Sequence, residues 1–130
     1  MKLSMRYGLV AIGALSALSL VHWGRRAHYD GPEIALYLMG VLPSALAAIA
    51  IPFVSLSIWA DQNESASYAA ARRSFVVVTL GAGVGLVAWE FIQQSSRKLV
   101  FDVHDLGATV VGLSVAFFLF AMSTPRTVRR

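Results

Sequence analysis

Residues 89–112 read WEFIQQSSRKLVFDVHDLGATVVG, and how they are read decides the fold. Glu90, Asp102 and Asp105 are three of the seven acidic residues in the chain, and they stand around Arg97 and Lys98. An apolar run long enough to cross a bilayer lies on each side. The stretch is therefore a polar connector between two membrane spans. A carboxylate at the end of such a span persists where it reaches water, a cation or a ligand, which makes this connector the first place to look for function.

Working outward, the apolar runs are four, at 7–23, 32–59, 74–92 and 106–122, each bounded by charged or turn-forming residues. At ~1.5 Å per residue even the shortest reach roughly 25 Å, close to the hydrocarbon thickness once flanking side chains snorkel. The chain has 130 residues, of which 57% are hydrophobic and only 14% charged. Its mean hydropathy is +0.65, outside the soluble globular range. An all-α integral membrane protein follows, one domain built as a bundle of four transmembrane helices.

There is no cysteine, so disulfide frameworks and thiolate metal sites are excluded. The net charge of +4 would suggest nucleic acid in a soluble protein. Here the cations sit in short clusters beside the spans, without the basic stripe and exposed aromatics that nucleic acid requires. Orientation and lipid head-group contact explain them. Membrane lipid is the expected partner, and no cofactor or resident metal is called for.

Lys2, Arg6 and the apolar run 9–21 imitate a secretory signal, but His22, Trp23, Gly24 and two arginines follow where a small-residue cleavage site would stand. An uncleaved first helix is the reading. Gly31-Pro32 is a turn-to-helix signal for the second span, whose Pro43 and Pro52 each remove a backbone donor and favour a bent helix. Residues 60–73 read as a solvated connector with an alanine-rich stretch that could form a short surface helix. Gly13 with Ala17, Gly81 with Gly85 and Ala108 with Gly112 are small-residue pairs four apart that allow close helix approach, the last of them against the third helix.

Four spans put both termini and the middle connector on one side. That side carries seven cations (Lys2, Arg6, Arg72, Arg73, Arg126, Arg129, Arg130) against four (Arg25, Arg26, Arg97, Lys98) on the other. The positive-inside rule makes both termini cytoplasmic in a multi-pass protein of the cell membrane, with the 89–112 connector facing outward.

If the third helix continues past Ile92, Glu90, Gln93 or Gln94, and Arg97 fall on one polar stripe, while Asp102 and Asp105 enter the fourth helix three apart. Two such stripes facing each other gather three carboxylates and a guanidinium. Arg97 could hold a carboxylate or a phosphate. A purely structural alternative has Arg97 clamp Asp102, Asp105 cap the fourth helix and Glu90 snorkel. His104 projects from another face of the helix start.

Glu90-Phe-Ile-Gln93, then Arg97, then Phe101-Asp102-x-x-Asp105-Leu106-x-Ala108-Thr109-x-x-Gly112 resembles the VanZ-like family of small bacterial membrane proteins. Thr109 stands where that family usually has asparagine. Glu33 and Tyr37 match its His-x-x-x-Tyr spacing, with glutamate in place of histidine. The resemblance implies a cell-envelope role in the bacterial inner membrane. A compatible mechanism is binding or processing of an anionic lipid or polyprenyl-phosphate-type amphiphile, with Gln93, Arg97 and Thr109 holding the ligand. Glu90, Asp102 and Asp105 would be the catalytic acid-base groups, and carboxylates of this kind would also suit Mg or Ca. The alternative is a non-catalytic accessory subunit, anchored by Trp23, Trp59 and Trp89 and docking into a larger complex through Gly81, Gly85, Ala108 and Gly112. A transporter is disfavoured because the span interiors hold almost no charge.

Overall fold

The computed structural model describes residues 1–27, 30–95 and 103–126. Four helices account for nearly all of them: α1 (Leu3–Arg26), α2 (Glu33–Gln62), α3 (Tyr68–Ser95) and α4 (Val103–Ser123). All four are long and apolar enough to cross a membrane. The chain is a multi-pass, all-α bundle, with each apolar run inside one helix.

Every helix extends beyond its apolar run, because the polar flanks continue the backbone hydrogen bonding that lipid demands. Arg25 and Arg26 close α1, where cations complement the helix C-terminus. Pro43 and Pro52 both lie inside an unbroken α2. The alanine-rich stretch is the opening of α3 rather than a separate surface helix: Ser67 begins it, its Oγ accepting from the Ala70 N–H at 3.3 Å.

Helix order in space follows from the contacts. α2 is the central element, packed against α1, α4 and α3, while α1 and α3 do not meet. α1 runs antiparallel to α2, with Tyr7 beside Phe53 and the Ser57 hydroxyl donating to the Ser4 carbonyl at 2.9 Å. α2 and α4 run parallel: Tyr37 meets His104, and eight residues further along both chains Ala45 meets Gly112.

The core is concentrated in the half of the bundle nearest the termini. Phe75 stacks on Phe120 at 4.3 Å and meets Phe117 edge-on at 5.0 Å, and Tyr7 lies between Phe53 and Phe120. Tyr7 is fully buried and its hydroxyl is 2.8 Å from Thr124 Oγ1. In lipid the apolar surface of a lone helix is already solvated, so this interlocking of rings and hydroxyls, rather than escape from water, joins the helices.

Among the described glycines, Gly112 makes the tightest approach to a neighbouring backbone. A Cβ there would lie 2.8 Å from the Ala45 Cα and overlap the Ala45 carbonyl oxygen. Gly112 of the small-residue pair in α4 thus packs on α2, not on α3 as the spacing suggested, since spacing marks a close approach without naming the neighbour. Gly81 and Gly85 are exposed with nothing within 4 Å of an added Cβ, and Gly13 is likewise open. The glycine of α3 that meets a neighbour is Gly83, where an added Cβ would lie 3.2 Å from Leu113 Cδ1.

Candidate functional site

The contacts between α3 and α4 fix a register. Phe75 packs on Phe120; fifteen residues further along α3 is Glu90, and fifteen residues back along α4 is Asp105. Counting seven residues each way from the Gly83–Leu113 contact reaches Glu90 and Leu106. Glu90 and Asp105 therefore stand at one level, at the end of the bundle away from the termini. Tyr37 joins that level through His104, with its hydroxyl 2.8 Å from His104 Nδ1 and the two rings perpendicular at 5.4 Å.

Glu90 is 6% exposed, although it lies among the exposed Trp89, Phe91 and Ile92. The 3.6-residue period places it on the inward side of α3, about two turns above Gly83, which meets Leu113 of α4. Thr109 is 2% exposed and its hydroxyl donates to the Asp105 carbonyl at 3.0 Å, one turn back. Asp105 is half-buried in the first turn of α4, at the third helical position. The helix starts three residues earlier than a capping Asp105 requires, yet a carboxylate in the first turn still favours the positive helix end.

Of the other expected site residues, Arg97 and Asp102 lie outside the described residues, and for Gln93 the structure describes only the helical backbone. Among the described residues no three His, Cys, Asp or Glu side chains are grouped as a metal site. The partnership of Tyr37 with His104 was missed in the sequence. The available signal was the placement of Tyr37 near the membrane surface that the connector shares.

In the half of the bundle that holds this level, the buried residues among those described are Ala14, Ala48, Ala82, Glu90, Thr109 and Gly112. Four are small and two are polar. The other half is filled with tyrosine, phenylalanine and leucine. Backbone closeness at Gly112 and Gly83 therefore brings the helices together under a carboxylate and a hydroxyl, while the large apolar side chains at this end, such as Met39 and Leu113, are only partly buried. Trp23 and Trp89, 70% and 55% exposed, flank this end as interfacial aromatics do.

No family model, curated protein or solved structure matches this chain. Its chemistry is read from its own residues: a buried carboxylate, a second carboxylate at the same level on a helix N-terminus, and a Tyr–His pair alongside. Such a set can take up or release a proton and orient a bound polar head.

Proposed function

We propose that this chain is a cell-membrane protein with an envelope role that binds, and has the groups to process, the phosphate-bearing head of an anionic amphiphile at the Glu90–Asp105 level. Arg97 serves as phosphate clamp, Gln93 and Thr109 as further polar contacts, and Glu90, Asp102 and Asp105 as the acid-base groups. The burial of Glu90 carries this reading. A carboxylate placed among membrane helices is costly and is kept where it serves a ligand or a proton. The similarity of 90–112 to the VanZ-like motif supports the same role. The cation bias sets both termini in the cytoplasm and the site on the outer face.

The test is lipid retention beside melting temperature in detergent. Arg97→Ala and Asp102→Asn are each expected to lower the number of retained phosphate-bearing lipids by one with melting nearly unchanged, since rim charges contribute about 0–1 kcal/mol. Parallel loss of both would mark a buried structural clamp, where stranding a charge costs about 3–5 kcal/mol.

The exposure of Gly81 and Gly85 on α3 favours a second reading, an accessory subunit presenting that flat face to another membrane helix. A stoichiometric partner that copurifies with the wild type and is lost from Gly85→Leu would select it.

A further inference from the structure

At the opposite end of the bundle a cleft of about 570 Å³ opens between the start of α1, the α2–α3 connector, the first turns of α3 and the segment after α4. Arg6, Glu64, Ser65, Ser67, Tyr68 and Thr124 line it. The one carboxylate in this lining, Glu64, is already paired with Lys2 Nζ. Arg6 is half-buried, and its one hydrogen bond among the described residues is a long one, from Nη1 to the Ser123 carbonyl at 3.4 Å. Most of its five donors are left for another acceptor. The first turn of α3 borders the same cleft and contains no acidic side chain to compensate its positive helix end. Beneath, Tyr7 and Thr124 close the floor with a neutral hydroxyl pair. Leu3, Ala66 and Ala71 give the cleft apolar walls. A guanidinium, several hydroxyls and a net positive surround, on apolar walls at the membrane boundary, match a phosphate ester attached to an apolar body.

We propose that this cleft binds a phosphate group, with Arg6 as its principal ligand, supplied by an anionic phospholipid head group or by free phosphate. It is a second site, remote from Glu90, and independent of the function assigned there. The cleft holds the phosphate against Arg6 and the serine hydroxyls, while the Lys2–Glu64 pair stands at its mouth.

The test uses the full chain reconstituted in nanodiscs of phosphatidylcholine with a small fraction of phosphatidylglycerol, then extracted gently for native mass spectrometry. Measured in a Glu90→Gln background so that the other proposed site contributes nothing, the parent chain with Arg6 should retain phosphatidylglycerol over phosphatidylcholine, and adding Arg6→Gln should lower that retention roughly tenfold or more, as expected for loss of a charge-assisted bond. Arg126→Gln, an exposed cation outside the cleft lining, should bind as that parent. Glu64→Gln removes the carboxylate at the mouth and should strengthen retention, an increase that misfolding cannot imitate. Displacement of the lipid by millimolar inorganic phosphate would identify the free anion as a competent ligand, and resistance to it would assign the site to the lipid head group. Equal retention by the parent and Arg6→Gln, equal loss in Arg6→Gln and Arg126→Gln, or no gain in Glu64→Gln would each overturn the proposal.

Discussion

Replacing Gly112 by alanine probes the tightest glycine contact among the described residues. The new methyl carbon would stand 2.8 Å from the Ala45 Cα and 2.9 Å from its carbonyl carbon. Carbon atoms prefer ~3.5–4.0 Å, so α2 and α4 have to part by about 1 Å. Both contacting atoms belong to backbone, and no side-chain rotation can relieve them. Overpacking of this kind costs about 1–3 kcal/mol, and the better helix propensity of alanine returns about 0.8–1 kcal/mol, for a net loss of about 0–2 kcal/mol. Gly85→Ala is the matched control: its methyl meets nothing within 4 Å, leaving only the propensity gain. Since the propensity gain is common to both, the two variants should differ by the overpacking cost, about 1–3 kcal/mol, in reversible unfolding in mixed detergent. If Gly112→Ala were as stable as Gly85→Ala, the parallel packing of α2 on α4 and the register built on it would be refuted.

Two further outcomes follow from the same geometry. Phe75 makes ring contacts with Phe53, Phe117 and Phe120, each worth about 0.5–1.5 kcal/mol, so Phe75→Ala should lose roughly 2–4 kcal/mol; a loss below about 1 kcal/mol would contradict the aromatic core. The hydrogen bond and charge of Lys2 hold the Glu64 carboxyl below 4.5, while Glu64 holds Lys2 above 10.5. The depressed carboxyl contributes above pH 4.5 and is lost as pH falls through its lowered value, and the raised amine contributes below pH 10.5 and is lost as pH rises through its own. In lipid-free detergent, any melting difference between wild type and Glu64→Gln should be flat across that window and vanish in stronger acid. A difference persisting into strong acid would exclude the pair as its source.

The four spans were legible because lipid leaves only one secondary structure open to a twenty-residue apolar run of this kind, whereas the continuation of α3 past Ile92 was only a condition under which its polar residues would share a stripe. The partners of the small residues were not legible. Gly81 and Gly85 have the spacing of a contact pair yet face outward, while Gly83 between them and Gly112 carry the contacts. Which face of a glycine-rich helix turns inward depends on the aromatic residues a few turns away, here Phe75, that fix its rotation. The level shared by Glu90 and Asp105 was expected from the short connector, whereas the near-complete burial of Glu90 and the pairing of Tyr37 with His104 depend on α2 and α4 running side by side, a contact between residues 67 apart in the chain.

The burial of Glu90 in a half-bundle whose large apolar side chains are at most partly buried is the centre of the account, and Glu90→Gln tests it most directly because it removes the charge and keeps the shape. Bound phosphate-bearing lipid and melting temperature are measured on the same detergent-extracted samples, in the Arg6→Gln background so that the second cleft contributes nothing. If Glu90 serves a ligand, the glutamine variant melts within a few degrees of its parent and has lost the lipid. Lipid retained in full, or lipid and melting temperature falling together, would contradict a ligand site at Glu90.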